Sequence, residues 1–218
     1  MNNAEMLGIV LSFVYVFLVI GISSKIHSEG NELSRKFIHI MVSNWWLLAM
    51  IFFQSPLYAT IVPLTFILLN YISYRFKVFG SMERADNDDE GLGTVYYAIS
   101  LTLLTAVCFR YDIEFIGAMA ILIMGYGDGL AALVGKRFPF LTFKRKYSRK
   151  SLGGSLTMLF ISLLVAFLVL FLSGHYSPTA ILAVALAATV LEAISPKGLD
   201  NLTVPLGVFG FYFILFYM

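Results

Sequence analysis

The sequence predicts an all-α integral membrane protein: a polytopic bundle of about eight transmembrane helices with N-terminus and C-terminus outside. Three observations carry that prediction. Of 218 residues, 59% are hydrophobic and 13% charged, against about 25% charged in an ordinary soluble domain. Apolar stretches recur at the length of a bilayer-spanning helix, about 20 residues. The basic residues fall between alternate stretches, as cytoplasmic loops require. This composition excludes a soluble globular enzyme, a disordered tail and a nucleic-acid-binding domain. The spans fill the chain as one transmembrane domain over 1–218, with no soluble domain. Cys108 is the single cysteine, so no intrachain disulfide framework exists.

The spans follow from where charge and proline interrupt the apolar runs. Residues 6–22 are uncharged, and no Lys or Arg precedes them as in a cleaved secretory signal. The uncharged run 37–74 is too long for one span. Gln54-Ser55-Pro56 divides it into 37–54 and 56–74, since proline stops or starts a helix. Residues 91–109 make a fourth span and 115–135 a fifth, broken only by Asp128. The segment Ser173-Gly174-His175-Tyr176-Ser177-Pro178 separates 152–172 from 178–195. The last stretch, 204–218, is short but uncharged. With this count, 14 of 15 Lys and Arg residues lie after spans one, three, five and seven; only Arg110 lies on the other side. Adding or removing one helix destroys that asymmetry.

Most unusual polar residues sit at the cytoplasmic ends. Asp128 lies within Gly125-Tyr126-Gly127-Asp128-Gly129. A carboxylate inside a span costs about 2.5–3.5 kcal/mol on insertion scales, which makes function its default reading. The alternative is a Gly-x-x-x-Gly packing face with Asp128 capping a broken helix. The loop from Lys136 to Ser151 holds seven basic residues and runs into Gly153-Gly154-Ser155. Cations followed by a helix start suit phosphate, although topology alone also produces basic loops. Pro196 should end span seven and Gly198 turn the chain, aiming Glu192 and Asp200 at one spot. There they can hold Mg²⁺ or accept a proton; otherwise Glu192 snorkels to water and Asp200-Asn201 caps span eight. His39 lies one turn beyond Arg35 and can meet a phosphate or bond a neighbouring helix. The run Asp86-Asn87-Asp88-Asp89-Glu90 reads as a solvated loop, with metal binding the lesser alternative. Trp45 and Trp46 read as helix-packing or lipid-facing residues.

Taken in order, five stretches resemble the polyprenol kinase family of CTP-dependent lipid kinases, which includes dolichol kinase, phytol kinase and CTP-dependent diacylglycerol kinase. They are Glu32-x-x-Arg35-Lys36-x-x-His39, Leu92-Gly93-Thr94, Gly127-Asp128-x-x-Ala131-x-x-x-Gly135, Lys150-Ser151-x-x-Gly154-Ser155, and Glu192 followed by Asp200-Asn201 and Pro205. They span about residues 32 to 207. One position departs: Gly153 stands where family members commonly carry Glu.

The resemblance implies transfer of the γ-phosphate of CTP to a lipid alcohol at the cytoplasmic face. Asp128 and Glu192 would be catalytic, Asp128 as metal ligand or base, with Glu192 and Asp200 as further Mg²⁺ ligands or orienting groups. Lys146, Lys150, Ser151, Gly154 and Asn201 would bind nucleotide or phosphate, and Arg35, Lys36 and His39 would close that site. The related CTP:phosphatidate cytidylyltransferases, which make a CDP-lipid, form the alternative. From another class, Asp128 in a glycine-broken span also fits a proton- or cation-coupled transporter, although the polar residues gather on one face. The expected partners are CTP, a lipid alcohol and the surrounding membrane lipids. Which alcohol, and whether the chain is a homo-oligomer, stay open.

The predicted orientation has a direct test. In a Cys108→Ala background, a cysteine at position 142 should resist an impermeant reagent added to intact cells and react once the cells are opened. Labelling from outside would invert the topology.

Overall fold

A computed structural model describes residues 2–26, 32–78, 92–145, 148–196 and 198–218. Helix α1 (Asn3–Ile26) opens on a reciprocal cap. The Glu5 amide donates to Asn2 Oδ1 at 2.7 Å, and the Asn2 amide donates to Glu5 Oε2 at 3.0 Å. Glu5 Oε1 also accepts from the Ser55 amide at 3.1 Å, which ties the start of α1 to the chain break before Pro56.

Helices α2 (Glu32–Ser43) and α3 (Trp45–Phe52) replace the single span expected over 37–54. The helix starts earlier because its charges do not mark a loop: Lys36 is buried among other helices. Arg35 and Lys36 therefore lie within a helix, not in the preceding loop. Asn44 interrupts the run. Its amide donates to the Ile40 carbonyl at 3.3 Å and its Oδ1 accepts from the Tyr126 hydroxyl at 3.0 Å, competing with regular helix bonding. Helix α4 (Pro56–Phe76) has proline in its first turn, and α5 (Gly93–Cys108) packs along it.

A long rod follows. Helix α6 (Glu114–Leu122), a π-helical turn (Ile123–Asp128) and α7 (Gly129–Arg137) run without a break. Helices α8 (Leu152–Leu172), α9 (Pro178–Ile194) and α10 (Asp200–Tyr212) complete the bundle, with a second π turn at Phe213–Tyr217. Helix α10 begins at Asp200, ahead of the expected 204, and contains Pro205. Proline leaves the carbonyl four residues back without its helical donor. Here that carbonyl belongs to Asn201, and the Ser100 hydroxyl donates to it at 2.7 Å.

Among the described residues, five helical stretches are long and apolar enough to cross a membrane: Asn3–Lys25, Pro56–Phe76, Glu114–Arg137, Leu152–Leu172 and Asp200–Tyr217. Helices α5 and α9 are also apolar, at 16 and 17 residues. More of the Glu114–Arg137 rod is buried than of any of the other four long stretches. It is the core against which the rest assemble. Outer helices turn their apolar side chains outward, as Leu156, Phe160, Leu164 and Phe171 do on α8, a surface suited to acyl chains.

The basic loop expected over 136–151 is built differently. Helix α7 continues to Arg137, and β1 (Thr142–Arg145) and β2 (Ser148–Ser151) pair antiparallel, with Thr142 opposite Ser151. Strands as short as Thr142-Phe143-Lys144-Arg145 and Ser148-Arg149-Lys150-Ser151 carry no alternating apolar pattern, so nothing in the sequence marks them.

Small residues set the spacing around the rod. A Cβ on Gly129 would lie 2.5 Å from Ile40 Cγ1, one on Gly125 would overlap the Ser43 side chain, and one on Gly117 would overlap Trp46. Gly127 faces the other way, against Met158 of α8. The glycine run is thus a two-sided packing face, pressing α2 on one side and α8 on the other. Trp46 is fully buried and donates its indole N–H to the Glu114 carbonyl at 3.0 Å. Gly125→Ala should lower the thermal unfolding temperature in detergent, since overpacking costs about 1–3 kcal/mol. Gly210→Ala is the control, because its Cβ would meet nothing within 4 Å, and stability there should hold or rise. Equal effects would remove the packing role.

Candidate active site

Eight elements converge on one polar cavity of about 540 Å³, whose lining includes Lys36 of α2, Asp128 at the end of the π turn, Lys150 and Ser151 of β2, Glu192 of α9 and Asp200 of α10. The arrangement follows from local chemistry. The π turn and flanking glycines bring α2 against the rod, so the Lys36 ammonium donates directly to Asp128 Oδ2. Helix α9 stops at Ile194, Ser195 is extended and Pro196 follows. Gly198 then takes φ +86°, a conformation open to glycine and strained for other residues. That turn folds Asp200 back beside Glu192.

Lys150 joins the two acids. Its ammonium donates to Glu192 Oε1 and lies 3.6 Å from Asp200 Oδ2. Burial works against the charge on Lys150, but the Glu192, Asp200 and Asp128 carboxylates outweigh it and hold the ammonium above its ordinary pKa. Asp200 Oδ1 accepts from the Asn201 amide at 3.1 Å and from Asn201 Nδ2 at 3.2 Å. Three carboxylates thus face two ammonium groups, and Glu192 Oε2 is buried with no hydrogen-bond partner. The donors left over are those a hard cation prefers. Among the described residues, however, no three His, Cys, Asp or Glu side chains cluster tightly enough to cage an ion. The fit is to Mg²⁺ held by one or two carboxylates together with phosphate oxygens, its usual manner of binding beside nucleotides.

A second opening lies on the other side of Lys36. It is a slot of about 70 Å³ between α1, α2, α4 and α5, lined mainly by apolar side chains such as Val16, Val42, Trp45 and Phe66. Lys36 lines both openings. His39 lies in this slot, its ring 4.2 Å from that of Tyr97 and its Nε2 3.8 Å from Asp128 Oδ2. His39 Nε2 and the Tyr97 hydroxyl are both buried without hydrogen-bond partners.

The residues singled out by sequence divide accordingly. Asp128, Glu192, Asp200, Lys36, Lys150, Ser151 and Gly154 come together around the polar cavity. Arg35 does not: its Nη2 pairs with Glu32 Oε1 at 2.5 Å, and it lines the apolar slot. His39 and Asn201 also line the slot, and Asn201 donates from Nδ2 to the Gly198 carbonyl at 3.1 Å. Lys146, His27 and the acidic run 86–90 lie outside the described residues. The start of α8 offers fewer spare donors than expected. Ser151 Oγ caps it by accepting from the Gly154 amide at 3.1 Å, and the Leu152 amide donates to the Phe140 carbonyl at 3.2 Å. Gly135 and Gly154 let α7 and α8 cross closely there, with a Cβ on Gly135 falling 2.7 Å from Ser151 Oγ. Sequence reasoning missed two side chains. Ser155 lines the polar cavity with its hydroxyl buried and unpartnered, and Tyr97 stacks on His39. Ser155 closes the Lys150-Ser151-x-x-Gly154-Ser155 stretch, which was its only signal.

Comparison with known proteins places this geometry in context. A protein named phytol kinase from Synechocystis is 34% identical over 203 residues, covering 88% of this chain and 83% of its own. A probable chloroplastic phytol kinase from Glycine max is 33% identical, covering 85% of this chain and 66% of its own. A chloroplastic farnesol kinase from Arabidopsis thaliana is 30% identical, covering 88% and 69%. No family model and no solved structure matches the chain. With that identity to the Synechocystis protein along most of both sequences, the chain belongs to the polyprenol/phytol kinase family.

Proposed function

We propose that this protein is a CTP-dependent kinase that transfers the γ-phosphate of CTP to the hydroxyl of a prenol-type alcohol. The reaction would take place at the cytoplasmic face of an eight-span bundle whose termini lie outside. The observation that carries this reading is the meeting of two unlike cavities at Lys36: a charged one large enough for nucleotide phosphates and an apolar slot open to a hydrocarbon tail. The relatives named phytol and farnesol kinases support a kinase over a cytidylyltransferase or a transporter.

Phosphoryl transfer needs positioning, cations for developing charge, and a group near the attacking hydroxyl to receive its proton. Lys150 and Lys36 supply cations on two sides of the cavity, and the buried Ser155 hydroxyl adds a donor. The alcohol oxygen bonds to the γ-phosphorus as the bond to the β-phosphate bridging oxygen breaks, and CDP leaves. Asp128, shared between Lys36 and the edge of the slot, receives the hydroxyl proton. Mg²⁺, held by Glu192 and Asp200 with the phosphates, would neutralise charge on the leaving diphosphate.

Asp128→Asn should cut turnover at least about 100-fold, the low end for loss of a general base. It should also lower thermal stability, because the buried Lys36 ammonium loses its partner. The double variant Lys36→Met, Asp128→Asn removes both charges and should recover stability without recovering activity. Near-normal turnover in well-folded Asp128→Asn would end its catalytic assignment.

Donor choice is tested with purified protein and γ-labelled nucleotides against farnesol and phytol. CTP should be used faster than ATP. Equal or better turnover with ATP would remove the CTP-dependent reading while leaving the kinase assignment standing.

A further inference from the structure

We infer that the apolar slot beside Lys36 holds the tail of the alcohol, and that Trp45 at its foot gauges how long that tail can be. This deepens the proposed prenol kinase activity and rests on it. The slot meets the polar cavity at Lys36, which lines both, so a chain whose hydroxyl reaches past Lys36 to Asp128 has its tail on the slot side. Its polar groups, Lys36, Asn70 and Asn201 among them, gather at the cavity end, and the far end is walled by Trp45, Val62 and Leu101. Eight residues separate Asn70 from Val62 on α4, and eight separate Gly93 from Leu101 on α5. At about 1.5 Å of rise per residue, the slot is about 12 Å deep. The hydrocarbon core is about 30 Å thick, so the slot ends inside the membrane against a side chain and does not run out to the far surface.

That side chain has the character of a stop. Trp45 is 2% exposed, and its indole N–H has no hydrogen-bond partner. It is held by shape alone, just past the Asn44 interruption between α2 and α3. Partway along the slot, α5 presents Ala98, a small residue where a larger one would shorten the available path. A shorter prenol reaches less far toward Trp45, whereas a longer one must bend or displace the ring.

The test is a competition assay with CTP and equimolar geraniol, farnesol, geranylgeraniol and phytol, reading product ratios by chromatography. Trp45→Leu should shift the geranylgeranyl-to-farnesyl product ratio upward by at least about 10-fold, since a single methylene already commands that discrimination in an apolar pocket and these alcohols differ by a whole isoprene unit. Ala98→Leu should shift it downward by a similar factor. Opposite shifts support the gauge. Wild-type ratios in both variants, or shifts in the same direction, would overturn it. If Trp45→Leu does not fold, Ala98→Leu alone decides: an unshifted or upward ratio overturns the gauge. Failure of the wild type to phosphorylate any prenol would instead overturn the kinase reading, so the two failures are distinguishable.

Discussion

The buried pair between Lys36 and Asp128 is the constraint on which the rest of this structure depends. A lone carboxylate inside a membrane bundle is expensive, and so is a lone ammonium. Each is tolerable only with the other beside it. To make that pair, α2 must lie against the central rod at the height of Asp128. This explains why α2 starts at Glu32, carries its charges inside the bundle, and breaks at Asn44 where the rod's Tyr126 takes hold of it.

Close approach needs small residues, and the rod supplies them on two faces. Gly125 and Gly129 admit α2, while Gly127 admits Met158 of α8. The π turn through the same residues rotates the chain so that Asp128 faces the cavity while its glycine neighbours face helices. Packing and chemistry therefore do not compete as explanations for this segment. The glycines let the elements close, and closure places the acid.

The same closure separates two environments within a few ångströms. On one side of Lys36, acids and lysines surround a polar cavity; on the other, aromatic and aliphatic groups line a narrow slot. Water-soluble and lipid-soluble reactants can meet at such a boundary without either entering the other's medium. Buried atoms without partners, Glu192 Oε2, Ser155 Oγ and His39 Nε2, lie around this boundary. Unmet hydrogen-bonding capacity in a native interior calls for an explanation, and reactants that supply the missing partners provide one.

The sequence by itself determined the apolar helical stretches, the alternating placement of basic residues, and the candidates Asp128, Glu192, Asp200 and Lys150. Hydropathy and charge are properties of residues and can be read one position at a time. It misjudged α2 because Arg35 and Lys36 read as loop charges, and only tertiary structure decides whether a charge faces water or a buried partner. It grouped Arg35, Lys36 and His39 as phosphate ligands. Arg35 and His39, four residues apart and so on one face of the helix, line the slot alone, whereas Lys36 lines both openings. It left open whether the glycines serve packing or function; the packing half was decided by neighbours distant in sequence, Ser43, Ile40 and Met158. The strands β1 and β2 were invisible because four residues with a single apolar side chain between them carry no period. What the tertiary structure alone decided is the boundary at Lys36, because a cavity is made by several elements at once and belongs to no single stretch of sequence.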